Sequence, residues 1–164
     1  MALTKLNYTG QGVLPSASMP TGSVLQVKKV TWTSQTQITT QTFTDVVDGT
    51  FSFTPLSASS TLKISPFLHI YLGKGGSTEV GGAFQIVHNG SVIEVPNQEQ
   101  YRKVAGSGTA IFQLPHSFSN YVASANTNAR TIKVQGKCGY SSSEFLVNKG
   151  TNYTSHIEVM EIKG

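Results

Sequence analysis

Carboxylates and histidines are the residues of this sequence that could transfer protons or hold a metal ion. The chain has eight carboxylates and four histidines. Glu158 and Glu161 stand three apart in a predicted strand, so their side chains leave on opposite faces and strand geometry does not make them an acid–base pair. His156 shares a face with Glu158, but one alternating pair does not define a metal site. The other histidines lie singly: His69, His88 and His116.

Motifs for nucleophilic catalysis and phosphate binding are absent from the sequence. It has no H-E-x-x-H zinc motif and no G-x-S-x-G turn, and KGGSTEVGG lacks the lysine and hydroxyl spacing of a P-loop. A Ser-His-Asp site assembled from distant residues stays open, because such sites do not depend on sequence order. We predict that the protein is not an enzyme and has no catalytic residue, no metal and no cofactor.

Charge and cysteine content exclude further classes of protein. Charged residues make up only 12% of the chain, the net charge is +4, and the only basic pairs are Lys28-Lys29 and Arg102-Lys103. Without a basic stripe we expect no nucleic-acid partner. Cys138 is alone, which excludes a disulfide framework within the chain, and we expect it to be buried.

The sequence shows no pattern of a targeting signal at its start or further along. MALTKLNYTG has no apolar core segment and no cleavage site, and no later segment has the length of a membrane span. We therefore expect no signal peptide, no membrane insertion and assembly in the cytoplasm.

The elements that must position any site are strands. Residues 61–72 alternate strictly, which predicts a β-strand with one core face, and the apolar set is Leu62, Ile64, Pro66, Leu68, Ile70 and Leu72. The small polar segment 56–60 before it predicts a tight corner between two sheets. Asn89-Gly90 predicts a two-residue hairpin, and Asp48-Gly49 predicts another that directs Phe51 and Phe53 into the core.

The rest of the chain also favours short strands over helices. A change of phase in VLQVKKVTW predicts a bulge near Lys28-Lys29. KGGSTEVGG is expected to be a flexible connection, and residues 96–110 and 120–129 are expected to be loops. Many short strands with regular turns indicate an all-β protein, an antiparallel β-sandwich of jelly-roll type.

An irregular arm is predicted before the sandwich. Glycine and proline interrupt residues 1–22, so neither a helix nor a strand period fits there, and residues 23–164 form the sandwich domain. The arm cannot bury its apolar residues alone, which favours ordering against a partner. These candidate anchoring residues are Leu3, Leu6, Tyr8, Val13, Leu14 and Met19.

Six segments, in order, resemble a module of tailed-bacteriophage virion proteins: GSVLQVKKV, FTD, LSASSTLKI, FQIVHNGSVI, TIKVQG and SHIEVMEIKG. The resemblance covers about residues 22–164, and the positions that match the family pattern are Gly22 to Val27, Asp45 with Phe53-Thr54-Pro55, Leu62 to Ile64 and Val159 to Ile162. The chain departs from the pattern at Thr61-Leu62-Lys63, where the family usually has Ser-Lys. The module commonly forms the heads of tail fibres and small surface knobs.

The resemblance implies a non-enzymatic homotrimer on the virion surface. The short arm favours a capsid decoration or cement protein whose arm contacts the major capsid protein. The alternative is a minimal tail fibre whose arm contacts a tail protein and whose tip recognises a host surface glycan. Candidate residues in the outward-facing loops are Gln98, Tyr101, Arg102, Tyr121 and Asn126.

Aromatic side chains keep a second class open, that of a carbohydrate-binding module. Aromatic rings stack on the apolar faces of sugars, and most of the candidates are also explained as core or interface residues. The candidates are Trp32, Tyr71, Tyr101, Tyr121, Tyr140 and Tyr153.

Overall fold

The computed structural model describes residues 18–74, 80–93, 101–103, 110–140, 144–150 and 152–164. Within these ranges the chain forms twelve β-strands and no helix. The strands are β1 (Val24–Trp32), β2 (Thr36–Ile38), β3 (Thr44–Phe53), β4 (Thr61–Lys74), β5 (Val80–His88), β6 (Ser91–Val92), β7 (Tyr101–Lys103), β8 (Ala110–Ser117), β9 (Asn120–Ala123), β10 (Arg130–Cys138), β11 (Glu144–Val147) and β12 (Ser155–Ile162). They form two antiparallel sheets, which confirms the predicted all-β sandwich.

Strand β4 is the central strand of the first sheet and pairs with four other strands. Along one edge its first half pairs with β12 and its second half with β11. Along the other edge the same halves pair with β9 and β8. β1 continues the sheet beyond β12, and β2 continues it beyond β11. One long strand therefore aligns both halves of this sheet.

The alternation in β4 has the predicted effect on burial. Leu62, Ile64, Leu68, Ile70 and Leu72 face the core and are buried. The side chains between them are half-buried on the outer face, except for that of Tyr71, which is buried. Full burial of an aliphatic side chain contributes about 1.5–3 kcal/mol, so this strand supplies a large share of the core.

The second sheet covers the inner face of the first. Its order is β3-β10-β5, and β6 and β7 pair with the far edge of β5. Phe51 and Phe53 of β3 are buried in the shared core as predicted. Cys138 is also buried, as expected, and its burial raises the pKa of the thiol.

The corner between the sheets follows the prediction and contains a buried carboxylate. Residues 56–60 connect β3 of the second sheet to β4 of the first. Glu161 of β12 has no exposed surface and accepts hydrogen bonds from the backbone amides of Leu56 and Ser57 at 2.9–3.0 Å. The Ser60 hydroxyl and the Gln26 amide donate to it as well, each at 2.6 Å. Glu161 thus fixes the corner to the last strand.

These hydrogen bonds determine the charge of Glu161. Burial by itself raises the pKa of this carboxyl, but the bonds from Ser60, Gln26, Leu56 and Ser57 together outweigh that effect. The pKa of Glu161 is therefore below its usual value, and the side chain is an anion at neutral pH. Glu158 lies three residues earlier on the opposite, half-buried face, as its spacing predicted.

One of the two predicted hairpins is confirmed. Asn89 and Gly90 join β5 to β6 with φ values of 49° and 80°, both positive as a type I′ turn requires. The prediction at Asp48-Gly49 is wrong, because both residues lie inside the continuous strand β3. In β10, Lys133 lies opposite Thr50 and Gln135 lies opposite Asp45. The four residues 46–49 of β3 therefore bulge opposite one residue of β10, Val134. The positive φ of Asp48, 60°, serves this bulge.

Other boundaries differ from the predictions. The irregularity in β1 lies between Val24 and Gln26, whereas Lys28 and Lys29 pair regularly with β12. The predicted loop 96–110 contains β7, and the predicted loop 120–129 begins with β9. The last three residues of KGGSTEVGG are the start of β5 rather than a connection. In each case pairing with a distant strand selects a structure that local composition does not indicate.

The sandwich has two distinct ends. At one end Thr61 of β4 lies opposite Ile162 and Ala123, and the backbone of Gly22 and Ser23 pairs with Lys163. Residue 22 therefore enters the fold at this end, which we call the entry end. At the opposite end lie the last residues of β4 and the first residues of β5, β8 and β11. We call this the far end.

Candidate functional site

The outer face of the first sheet carries a groove lined by described residues. It has a volume of about 280 Å³ and lies over the far half of β4. β4 forms its floor, β8 one wall, and the loop between β11 and β12 the other. The side chains that line it are mainly aromatic and polar: His69, Tyr71, Gln113, Pro115, Lys149 and Tyr153.

The register of the strands explains why these side chains meet. Tyr71 lies opposite Gln113, and His69 lies opposite Pro115. Side chains two residues apart on one strand share a face, so these four point outward together. The outer face of β4 carries aromatic rings here because its other face already supplies the core.

A buried network holds the loop that carries Lys149 and Tyr153. β12 pairs with β4 up to Phe67 and β11 pairs from Ile70, which leaves the backbone of His69 between them. The backbone amide of Asn148 donates to the His69 carbonyl at 2.9 Å, and the Ser155 hydroxyl accepts from the backbone amide of His69 at 3.1 Å. The two ends of the loop therefore bridge the gap.

Asn148 makes the network rigid. It is fully buried and has a positive φ of 56°, a conformation that asparagine tolerates better than most residues. Its side-chain amide donates to the Trp32 carbonyl at 3.2 Å, and the Ser155 hydroxyl donates to its side-chain oxygen at 2.7 Å. Such a satisfied polar network fixes one geometry for the loop above it.

The loop places a cation and a phenol ring over the groove. The Lys149 ammonium lies 3.4 Å from the centroid of the Tyr71 ring, a cation–π contact that covers this ring. Tyr153 lies 5.3 Å from the His69 ring, centroid to centroid, and its hydroxyl donates to the Gln113 side-chain oxygen at 3.3 Å. Tyr153 and Gln113 thus connect the two walls.

Further rings extend this surface toward β12. Phe67 stacks on His156 with centroids 5.0 Å apart and meets His69 edge to face at 5.2 Å. Burial lowers the pKa of His156, and the charge of Lys29 lowers it further against the opposing effect of Glu158. His156 is therefore neutral at neutral pH, and Lys149 carries the permanent positive charge of the groove.

The groove offers groups that can contact a ligand. Its lining offers aromatic faces, an amide, a hydroxyl and an ammonium group, but no carboxylate among the described residues. No group of three or more histidines, cysteines or carboxylates in the described part of the chain is placed to hold a metal ion. In the same residues no helix has the length and apolar character needed to cross a membrane.

Most of the predicted anchoring residues lie outside the described residues, namely Leu3, Leu6, Tyr8, Val13 and Leu14. Met19 is described and is half-buried. The turn after it is closed by a hydrogen bond from the Ser23 amide to the Pro20 carbonyl at 3.1 Å.

The structure separates the predicted loop residues rather than bringing them together. Tyr121 is 57% exposed on β9 and Asn126 is exposed beyond it, both at the entry end. Tyr101 and Arg102 belong to β7, which pairs with the start of β5 at the far end. Gln98 lies outside the described residues. The two candidate loop regions therefore lie at opposite ends of the sandwich.

Sequence reasoning did not identify the groove. Tyr71 and Tyr153 were candidates for sugar stacking, but nothing linked them to each other or to Lys149 and Gln113. The available signal was the row Phe67, His69, Tyr71, in which aromatic rings occupy the outer face of a strand whose other face is core. Aromatic rings on the outer face of β4 indicate that something other than the core packs against them, and here the loop after β11 and the neighbouring strand β8 do so.

The sequence matches no protein-family model and no curated protein.

Proposed function

We propose that this chain is a non-enzymatic structural protein of a bacteriophage particle. It forms a small homotrimeric knob on the virion surface, assembled in the host cytoplasm, and its N-terminal arm cements it to the capsid. The proposal rests on the six ordered segments that resemble the virion module. Three of them contain β12, most of β1 and the first four residues of β4, which are neighbours in one sheet. These three segments are thus close in space as well as ordered in sequence.

The proposed trimer is supported by two exposed apolar side chains on a strand with an open edge. β8 pairs with β4 along one side, and no described strand pairs with its other side. Ile111 and Phe112 on this strand are 58% and 44% exposed. An open edge with exposed apolar side chains promotes association with another chain, and a closed trimer would bury it.

The full chain is expected to have three times the mass of one chain in light scattering. Ile111→Lys places a charge in the proposed interface and is expected to shift the protein to monomers. Val47→Lys is the matched control, because Val47 is similarly exposed but lies on β3. A monomeric parent at micromolar concentration contradicts the proposal, and so does a trimer that Ile111→Lys leaves intact.

The arm is proposed to make the attachment to the capsid. Residue 22 enters at the entry end, so an anchor there would direct the far end away from the particle. Deleting residues 2–20 is expected to leave a folded trimer that no longer binds particles lacking the native protein. A pull-down on such particles, run beside a melting curve, measures both properties. Undiminished binding by the truncated chain refutes the arm as anchor, and an arm that only covers its own sandwich predicts a lower melting temperature with binding intact.

A minimal tail fibre with a glycan-binding tip is the second candidate, and the groove is the observation that favours it. Copy number per particle separates the two. A copy number comparable with that of the major capsid protein supports decoration. A few copies per particle, located at the tail, support the fibre.

A further inference from the structure

We propose that the groove over β4 is a carbohydrate-binding site that takes one sugar residue of a glycan. Tyr153 supplies the stacking face, and Gln113 and Lys149 supply hydrogen bonds at the rim. A glycan site would add ligand binding to the structural role proposed above. The site belongs to the isolated protein, so the proposal holds whether the protein is located on the capsid or on the tail.

The composition of the lining fits a sugar. A sugar ring has an apolar face of C–H groups and a rim of hydroxyls that both donate and accept hydrogen bonds. Tyr153 is half-buried, so one part of its ring packs on His69 and the rest is accessible from the groove. The Gln113 amide and the Lys149 ammonium stand on opposite walls. An apolar ring between polar groups matches the ring and rim of a sugar.

The groove is held in shape before any ligand arrives. Asn148 and Ser155 fix both ends of the loop to the backbone of His69. The Tyr71 ring fixes the Lys149 ammonium at 3.4 Å from its centroid. A pre-organised site loses little conformational entropy on binding, which matters for a ligand as small as one sugar residue.

The position of the groove favours a glycan over an extended peptide. A peptide that adds to a sheet pairs with a free edge, whereas the groove lies on the face of β4, whose two edges are already paired here. Tyr71 lies ten residues along β4 from Thr61 at the entry end, a distance of about 33 Å. A protein held at its entry end would therefore present the groove away from its attachment.

The test is binding of the full chain to an array of neutral and acidic glycans, followed by calorimetry with the strongest glycan. Tyr153→Ala is expected to weaken binding at least tenfold, because it removes the stacking ring. Tyr121→Ala tests the competing aromatic candidate at the entry end and is expected to bind like the parent. Tyr121 is an exposed tyrosine on the same sheet, opposite Lys63 and about 26 Å along β4 from Tyr71.

Melting curves establish that each variant is folded before its affinity is compared. Lys149→Met, which keeps the length of the side chain, is expected to weaken an acidic glycan more than a neutral one. The inference is overturned if no glycan binds, or if Tyr153→Ala binds as tightly as the parent. Binding that is lost in Tyr121→Ala but kept in Tyr153→Ala overturns it too, because the site is then elsewhere. Copy number and the arm deletion test the virion proposal separately.

Discussion

Leu68→Asp is expected to yield no folded protein. Leu68 has no exposed surface, lies in the middle of β4 and belongs to the core shared by both sheets. An aspartate there would be buried without a charged partner, and the cost of burying an unpaired carboxylate exceeds the few kcal/mol by which a domain of this size is stable. Expression in the insoluble fraction, or a soluble chain without a cooperative melting transition, is the expected observation.

Two other variants make this result interpretable. Ile70→Ala, two residues further on the same face, is expected to fold but to lose about 2–5 kcal/mol through the cavity it leaves. Val47→Asp introduces the same charge at an exposed position of β3 and is expected to melt close to the parent. A soluble Leu68→Asp protein with the melting temperature of the parent would contradict the assignment of β4 to the core.

Glu161→Ala is expected to lower the free energy of unfolding by about 4 kcal/mol. The change leaves the backbone amides of Leu56 and Ser57 without their acceptor in a buried corner. Urea denaturation of the variant and the parent measures the difference. Glu158→Ala is the control on the same strand, and its loss is expected to stay within about 1 kcal/mol. Equal effects of the two substitutions would show that the corner does not depend on the carboxylate.

The same carboxylate makes stability depend on pH. The pKa of Glu161 is lowered in the folded protein, so its contribution is complete above the unfolded value of about 4.3 and is lost as the pH falls through the folded pKa. His116 changes the stability over a different pH range. Burial lowers its pKa from 6.5 to about 4, so the unfolded chain takes up its proton first and stability declines between these values. Glu161→Gln is expected to remove only the decline at lower pH.

Local patterns in the sequence predicted the elements that short-range geometry determines. The alternation of residues 61–72 gave the core face of β4, and Asn89-Gly90 gave a turn whose two positive φ values follow from those residue types. The small polar segment before β4 gave the corner between the sheets. For the alternation and the turn, the deciding geometry lies within a few residues of the pattern.

Features set by distant residues could not be predicted in this way. Asp48-Gly49 favours a positive φ, and only the pairing of β3 with β10 decides whether that φ makes a hairpin or a bulge. In the sequence, nothing distinguishes Glu161 from other strand glutamates, because its hydrogen-bond donors in the corner lie more than a hundred residues away. The groove likewise needs the register of β8 on β4 and the loop held by Asn148, neither of which has a local signature.

The pairing of β4 also determines when this protein can fold during its synthesis. Among the described strands, every one that pairs with β4 comes later in the chain, and β1 pairs only with β12. While a ribosome still holds residues 155–162, the first sheet lacks the strand that joins β1 to β4. A fold with so many long-range contacts has a high contact order and folds slowly. We therefore expect the first sheet to close only after residues 155–162 have left the ribosome, with β1 and the first half of β4 exposed until then.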